Sequence, residues 1–219
     1  MKITYLAHSC FLITSADGTR ILMDPYESGS YDGAVQYGPV QEAADLVLIS
    51  HDTHPDHAAS DTISGSPTVI KQPGEAEVKG IKVDGIATFH DSSGGRERGP
   101  NTVFTFEVDG LTVCHLGDLG HVLNAEQAEA VGRPDILMVP VGGYFTIDAD
   151  EAAQVVRQLD PKIVIPMHFK TDKLGFPIAG REKFLETQEN VVLTGESELE
   201  ITAGELADER RIIALDAKL

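Results

Sequence analysis

The sequence predicts an α/β fold in which two β-sheets pack face to face and helices cover the outside. Two observations support this class. Apolar, strand-like runs dominate the first half of the chain, and strands alternate with helices in the second half. No linker rich in Pro, Gly or Ser and no shift in composition divides the 219 residues. We therefore expect one domain over residues 1–219.

The strands of the first half are predicted from short apolar runs bounded by turn residues. The turn signal Ala16-Asp17-Gly18 separates the second and third runs, and the Gly- and Tyr-rich segment from Pro25 to Pro39 is typical of a loop. A short helix is expected at Ala58–Ile63. The expected strands are Lys2–Ala7, Cys10–Thr14, Arg20–Asp24, Asp45–Ser50, Thr68–Lys71, Val78–Val83 and Ile86–His90.

The second half contains clear hairpin and helix signals. Asp109-Gly110 lies between two apolar runs and predicts a two-residue hairpin, because both positions tolerate positive φ. Asp148 followed by Glu151 is a capping-box arrangement and predicts the start of a helix. The expected helices are Ala125–Val131, Ala149–Leu159 and a segment near Arg181–Thr187, and the expected strands are Asn101–Val108, Leu111–Leu116, Asp135–Val141, Lys162–His168 and two or three short strands at the end.

Charge and composition exclude several classes of function. The chain has 17 Lys and Arg against 35 Asp and Glu, a net charge of −18, which disfavours nucleic acid as a partner because phosphate contacts need cations. No apolar stretch approaches the ~20 residues of a membrane span, and no signal peptide is recognisable. We therefore expect a cytoplasmic protein, with Cys10 and Cys114 as buried free thiols in apolar strands.

Seven consecutive residues, His51 to His57, contain three His and two Asp. Neutral imidazole and carboxylate are the ligands that hold Zn²⁺, Fe or Mn²⁺. The segment directly follows the apolar run Asp45–Ser50, so a rigid strand is expected to present it. A solvated polar loop with chance histidines is the alternative interpretation.

Three more residues capable of binding a metal lie at or just beyond the ends of apolar strands. His90 ends Ile86–His90, Asp118 follows Leu111–Leu116, and His168 ends Lys162–His168. One such residue at the end of a strand is usually structural. These three residues together with the segment His51 to His57 make four elements with matching chemistry, which indicates a shared metal site.

The order of these residues resembles the metallo-β-lactamase-fold hydrolases, which show His-x-Asp-His, then His, then Gly-Asp, then His. Within this family, the chain is similar to the lactonase-like and phospholipase-like branch. The similarity includes the opening hairpin with Ala7-His8-Ser9 and further motifs, and it extends over roughly residues 1 to 170. These motifs are Asp24-Pro25, His115-Leu116-Gly117-Asp118, Val139-Pro140-Val141-Gly142-Gly143-Tyr144 and Ile165-Pro166-Met167-His168. The resemblance implies a four-layer αββα sandwich of the metallo-β-lactamase type.

The resemblance also implies a site for one or two metals, Zn²⁺ with Mn²⁺ or Fe as alternatives. One metal would take the first two His of the cluster and His90, the other Asp56, His57 and His168, and Asp118 would bridge them. The family spaces its first two His one residue apart, whereas Asp52-Thr53 separates His51 from His54 here. Either the loop bulges and His51 remains the ligand, which we favour, or Asp52 replaces it.

Residues around the ligands are expected to support them or to contact substrate. His8 and His121 are the candidates for substrate contact or proton donation to the leaving group, with a structural role as the alternative. His115 and Asp24 are expected to support ligands, and Tyr144 to face the pocket or to pack. In the loop Asp91–Asn101, Arg96 or Arg98 is a candidate for binding an anionic group, against the alternative of a solvated loop.

These observations together predict a metal-dependent hydrolase of a small ester, lactone or phosphodiester. Anionic small molecules are among the candidate substrates. Asp56 would orient the attacking water. Asp118 is expected to be the second catalytic carboxylate. Two alternatives stay open: a di-iron redox protein of the same fold, and a non-catalytic binding module whose metal site has decayed. A serine hydrolase is disfavoured, because no Gly-x-Ser-x-Gly motif occurs.

Overall fold

The computed structural model describes residues 1–219 and contains two β-sheets. The first sheet has six strands in the order β13-β1-β2-β3-β4-β5. These strands are β1 (Lys2–Ala7), β2 (Cys10–Thr14), β3 (Arg20–Met23), β4 (Leu46–Leu48), β5 (Thr68–Ile70) and β13 (Glu198–Glu200).

The second sheet has eight strands in the order β12-β14-β11-β10-β9-β8-β7-β6. Its strands are β6 (Gly74–Val78), β7 (Ile81–Phe89), β8 (Pro100–Val108), β9 (Leu111–His115), β10 (Ile136–Pro140), β11 (Ile163–Met167), β12 (Val191–Leu193) and β14 (Arg211–Ala214). The strands β6 to β9 are antiparallel neighbours, whereas β9, β10, β11, β14 and β12 run parallel.

Helices are few and short, and both longer ones begin with a capping box. Asn124 caps α2 (Ala125–Val131) and Asp148 caps α3 (Ala149–Leu159). The remaining helical segments are α1 (Ser30–Gly33), which is one turn, α4 (Glu182–Leu185) and two 3-10 turns at Ser60–Thr62 and Ala203–Glu205. None of the helices combines the length and the apolar character that crossing a bilayer requires.

The first sheet is apolar on both faces. Along β2, Phe11 and Ile13 belong to the larger core cluster, which also contains the buried residues of the second sheet, whereas Leu12 packs into a smaller cluster on the outer face. This alternation follows from the period of two in a strand. The smaller cluster includes Val35 and Tyr37, so the outer layer here is mainly the loop from residue 25 to 44.

The predicted α/β sandwich is confirmed, and so are most of its elements. The hairpin turn at Asp109-Gly110 has positive φ at both residues, and the helix Ala149–Leu159 has the predicted bounds. Cys10 and Cys114 are buried free thiols, as expected. The predicted strand Val78–Val83 is wrong, because a second turn interrupts it.

That second turn is at Lys79-Gly80, where both residues have positive φ, and it joins β6 to β7. The strand β7 then continues without a break through Val83 to Phe89. The expected helix at Ala58–Ile63 is only the 3-10 turn Ser60–Thr62.

The strand directions bring the chemistry-bearing residues together. In the first sheet β1, β3 and β4 run in the same direction, because β2 is antiparallel to both β1 and β3. In the second sheet β7, β9 and β11 share a direction for the same reason. The segments that follow five of these strands, β1, β4, β7, β9 and β11, carry the candidate ligands, and these ligands meet at one rim of the sandwich.

Candidate active site

Six histidines at this rim form two groups of three. Within each group one ring nitrogen per residue lies within 4.8 Å of the others. Because imidazole nitrogen is a preferred ligand of zinc and iron, each group has the composition of a metal-binding triad. The first group is His51, His54 and His90, and the second is His8, His57 and His168.

Asp118 lies between the two groups. Its Oδ1 is 2.9 Å from His57 Nε2 and 3.3 Å from His168 Nε2, and its Oδ2 is 3.5 Å from His90 Nε2. One carboxylate therefore faces both triads, which is the position that a bridging ligand would occupy.

Asp56 lies beside the second group and is buried. Its Oδ2 is 3.4 Å from His8 Nε2, and its Oδ1 is 3.4 Å from His57 Nδ1. The hydroxyl of Tyr31 donates a hydrogen bond of 3.0 Å to Oδ1. The Tyr31 side chain is half-exposed and therefore carries this contact to the edge of the site.

Several buried polar atoms in the centre have no hydrogen-bond partner. They include both ring nitrogens of His8 and of His57, and Oδ1 of Asp118. The His57 Nε2 to Asp118 Oδ1 distance is short, yet the pair lacks hydrogen-bond geometry. Buried polar atoms without partners are rare and costly in proteins, at ~1–3 kcal/mol each. Converging unpaired imidazoles and a carboxylate fit a divalent cation.

Burial and neighbouring charges set the protonation states. Burial lowers the pKa of His54 and of His90, and burial together with His8 lowers that of His168 to about 3. Burial alone would raise the pKa of Asp118, but His57 and His90 hold it well below its usual value. At neutral pH Asp118 is therefore a carboxylate and these three histidines are neutral imidazoles, the forms that bind a metal.

His57 differs from these histidines. Burial acts to lower its pKa, but the Asp118 and Asp56 carboxylates on either side raise it well above the ordinary value. The two carboxylates therefore favour the protonated form of His57.

Two histidines are oriented by backbone carbonyls. His51 Nδ1 donates to Pro100 O at 2.7 Å, and His90 Nδ1 donates to Asp118 O at 2.8 Å. Each bond fixes the tautomer and leaves the lone pair on Nε2. In His51 this nitrogen accepts a hydrogen bond from Thr53 Oγ1 at 2.7 Å.

A buried hydrogen-bond network holds the segment before His51. Asp24 accepts from the backbone N–H of Ser50 through Oδ1 and from its hydroxyl through Oδ2, both at 2.7 Å. His115 Nε2 donates to Ser9 O at 2.9 Å, and its Nδ1 accepts from Gly117 N at 3.1 Å. Asp24 and His115 therefore fix the backbone beside the ligands, in agreement with the supporting role expected for them.

Asn101 positions Asp118. Its Oδ1 accepts from Asp118 N at 2.9 Å, and its Nδ2 donates to Leu116 O at 3.0 Å and to Thr88 Oγ1 at 2.7 Å. Between these bonds, Gly117 has a φ of +59°, and a Cβ there would overlap the side chain of Ser50. Only glycine lets the two ligand-bearing segments approach this closely.

The backbone is strained at two of the candidate ligands. His8 and His168 have φ values of 57° and 50°, in the left-handed region that non-glycine residues seldom adopt. His168 N donates to His8 O at 2.9 Å, which joins the end of β11 to the turn after β1. Strain of this kind is typical of functional sites, because the surrounding structure must maintain it.

Comparisons with known proteins agree with this geometry. A family model described as the beta-lactamase superfamily domain matches residues 2–168. The chain belongs to this superfamily.

Named relatives and a solved structure narrow the family further. The chain is 31% identical to a UPF0173 metal-dependent hydrolase of Thermococcus onnurineus over 196 residues, covering 78% of this chain and 85% of the relative. A second relative of that description, from Thermoplasma acidophilum, is 31% identical over 193 residues, covering 78% of this chain and 84% of the relative. A Thermotoga maritima structure, described as a candidate Zn-dependent hydrolase of the metallo-beta-lactamase superfamily, has a TM-score of 0.83 and 36% identity over 99% of both chains.

The chain is thus a metal-dependent hydrolase of the metallo-beta-lactamase superfamily. This membership confirms the resemblance stated from the sequence. It also removes support from the interpretation of the chain as a non-catalytic module.

In this hydrolase His51, and not Asp52, lies with His54 and His90. His51 is buried in the triad, whereas Asp52 is exposed. The two residues between His51 and His54 are both exposed, although the Thr53 hydroxyl reaches back to His51 Nε2. His51 as the ligand stays a prediction, and its place beside His54 and His90 supports it.

A cavity of about 470 Å³ opens onto the centre. Its volume lies within the usual range for small-molecule sites. His54, His90, Asp56, Asp118 and His168 line one part of it. The remaining lining consists of Tyr31, Ala34, Arg98, Phe145 and Phe176.

Several of the predicted residues lie outside this cavity lining. They include His8, His51 and His57, which belong to the two triads, and also His121 and Tyr144. His121 uses both ring nitrogens on the backbone: Nδ1 donates to Val122 O at 2.9 Å and Nε2 accepts from Phe89 N at 3.2 Å. Tyr144 is 67% exposed, while its neighbour Phe145 lines the cavity instead.

Sequence reasoning missed Tyr31, Asn101, Phe145 and Phe176. Asn101 follows the Gly-rich loop after His90 and begins the buried part of β8, where a polar residue is unusual; this is the one local signal that was available. Tyr31 has a φ of 53° in the Gly-rich segment, which no sequence pattern reveals.

Proposed function

We propose that this hydrolase holds one or two divalent metal ions, zinc in the first instance, between the two triads and uses them to hydrolyse a small ester, lactone or phosphodiester. The observation that supports this most is the pair of imidazole triads on either side of Asp118, of which the buried second triad has ring nitrogens with no hydrogen-bond partner in the protein. The family supports metal dependence but specifies neither the metal nor the bond cleaved.

The proposed ligands divide into two sets. The first is His51, His54 and His90. The second is Asp56, His57 and His168, with Asp118 shared between the sets. His8 is close enough to His57 and His168 to serve as a further donor. When bound, a divalent metal would supply a water molecule whose pKa falls from ~15.7 towards ~7 and so provides hydroxide at neutral pH.

The protein residues around the centre would orient the reaction. Asp56 lies where it can accept a proton from an attacking water, and Tyr31 holds its Oδ1 by a hydrogen bond. The alternative role of His8 is proton transfer: as long as its Nε2, 3.4 Å from Asp56 Oδ2, binds no metal, this nitrogen can carry a proton to a leaving group. We assign no proton transfer to His121, because backbone groups occupy both its ring nitrogens.

The substrate is proposed to be a small molecule, since the cavity is of that size. The single domain over residues 1–219, the cytoplasmic location and the absence of a nucleic-acid partner stay predictions from the sequence.

Metal content and turnover of matched variants test the proposal. The purified protein should contain zinc at one or two equivalents and hydrolyse bis-p-nitrophenyl phosphate or a simple lactone. Asp118→Ala should abolish metal-dependent turnover, and His51→Ala should lower metal content. Asp52→Ala is the control, because that side chain is exposed. Full activity of Asp118→Ala, or a metal loss in Asp52→Ala that equals that in His51→Ala, would reject the assignment.

The same metal analysis tests the redox alternative. Iron as the bound metal, with reversible oxidation and reduction and no hydrolysis, would favour a di-iron protein of this fold over a hydrolytic zinc centre.

A further inference from the structure

Arg98 lies in the wall of the cavity and has no close acidic partner. Its guanidinium lies 5.7 Å above the ring of Phe145, which lines the same space. Its only carboxylate neighbour within 4.0 Å is the exposed Glu97, at 3.9 Å. In a chain with twice as many acidic as basic residues, three other half-buried arginines have closer carboxylate partners. Arg20 is 2.5 Å from Glu42, Arg181 is 2.7 Å from Asp216 and Arg210 is 2.6 Å from Asp160.

The loop that carries Arg98 is built around one buried carboxylate. Asp91 Oδ1 accepts hydrogen bonds from the backbone N–H and the hydroxyl of Ser93 and from Gly95 N, at 2.8–2.9 Å. Its Oδ2 accepts from the backbone N–H groups of Glu97 and Arg98, at 3.0 and 2.8 Å. A loop that is merely solvated needs no such anchor. Here the anchor fixes the backbone of Arg98 itself.

An aromatic wall continues from Arg98 across the cavity. Phe145 packs edge-on against Phe176 with 5.7 Å between ring centroids, and Phe176 packs edge-on against Tyr31 at 5.2 Å. Tyr31 in turn is hydrogen-bonded to Asp56. One continuous cavity is therefore lined by the guanidinium group of Arg98, by an apolar aromatic surface and by candidate metal ligands.

We propose that the substrate carries an oxyanion group, a carboxylate or a phosphate, joined to an apolar body. Arg98 binds the oxyanion, the wall of Phe145, Phe176 and Tyr31 contacts the body, and Asp91 is the positioning residue for Arg98. A planar guanidinium suits this group, because it offers paired N–H donors to two oxygens. This substrate class rests on the proposed function, since it concerns the same cavity.

Binding of three probes to the metal-loaded protein tests the oxyanion subsite without requiring turnover. The probes are 3-phenylpropionate, phenyl phosphate and the neutral 3-phenylpropanol, measured by calorimetry. Wild type should bind at least one of the anions more tightly than the alcohol, and the preferred anion identifies the group as carboxylate or phosphate. Arg98→Gln should lower the ratio of anion to alcohol affinity about 10- to 100-fold, the usual worth of a charged hydrogen bond. Arg98→Lys should retain part of that ratio.

Arg96→Gln is the matched control, because Arg96 is an exposed residue of the same loop and the substitution changes the net charge equally. It should leave the affinity ratio at the wild-type value. The proposal is overturned when Arg98→Gln and Arg96→Gln lower the ratio alike, or when neither lowers it. Anion binding that depends on Arg98 in a protein without hydrolytic activity would uphold the subsite and reject hydrolysis.

The role of Asp91 is tested by combining variants. Asp91→Asn replaces an acceptor by a donor among N–H groups and should reproduce the fall in affinity ratio seen in Arg98→Gln. In the Arg98→Gln background, Asp91→Asn should have no further effect on the ratio, because the two residues act through one interaction. Additive losses would show that Asp91 supports the fold only.

Discussion

Asn101 offers a quantitative test of how the site is held together, because one buried side chain supports both ends of the segment that bears Asp118. Replacing it with Ala removes the acceptor of Asp118 N–H and the donor to Leu116 O. Asn101 is 1% exposed, so both backbone groups would remain buried without partners. At ~1–3 kcal/mol for each group, the free energy of unfolding should fall by about 2–6 kcal/mol. This is a large fraction of the ~5–15 kcal/mol of a typical domain.

The same substitution should weaken metal binding, because residues that orient a ligand commonly contribute 10–100-fold to affinity. Urea unfolding gives the first quantity, and competition with a chromophoric chelator gives the second. Thr105→Val is the control. It lies on the same strand β8 and is buried, but it takes no part in this network. We expect a loss of about 1 kcal/mol or less and unchanged metal affinity.

The reasoning is refuted if Asn101→Ala unfolds at the same urea concentration as Thr105→Val, or if both variants bind metal as wild type does. Loss of stability with unchanged metal affinity would show that Asp118 keeps its position without the side-chain amide.

Four further predictions follow from single contacts. Gly117→Ala should cost about 1–3 kcal/mol from overpacking and lower the metal content; an unchanged melting temperature would contradict this. Asp148→Ala removes the N-cap of α3 and should cost about 0.5–2 kcal/mol in urea unfolding while metal content stays constant. Burial raises the pKa of the Cys10 and Cys114 thiols, so a thiol reagent at pH 8 should label neither in the native protein and both in denaturant. Burial alone would raise the pKa of Asp91, but its hydrogen bonds hold it below the unfolded value of ~3.9. Its stabilisation is therefore present above pH ~4 and lost as the pH falls further. The deficit of Asp91→Asn in urea unfolding should accordingly be constant from pH 7 to 5 and shrink below pH 4.

Much of the fold was predictable because local rules governed it. The period of two in β2, the capping box at Asp148 and the turn at Asp109-Gly110 are all set by neighbouring residues. The turn at Lys79-Gly80 escaped prediction, because the apolar residues around it continue the strand pattern and lysine is an unusual residue at positive φ.

The candidate ligands were predictable for a different reason. His90, Asp118 and His168 each follow an apolar strand, and parallel directions carry such ends to one edge. Which of them meet depends on strand order, which the sequence does not state locally. The position of His8 within the second triad therefore required the structure.

The supporting residues were the hardest to foresee. The hydrogen bond from Tyr31 to Asp56 depends on how a long loop folds back. The three bonds of Asn101 depend on the register between β8 and its neighbours. Both are long-range contacts between segments with no shared local pattern.

The origin of the ligands in both sheets has a consequence for the lifetime of the protein. His8 and His51 follow strands of the first sheet, whereas His90, Asp118 and His168 follow strands of the second. A shared cation would crosslink the two halves of the sandwich at a single point. Such a crosslink adds ~2.7 kcal/mol when free metal exceeds its dissociation constant a hundredfold. Without the metal this contribution is absent, so a protease should cleave the apoprotein faster than the metal-bound protein.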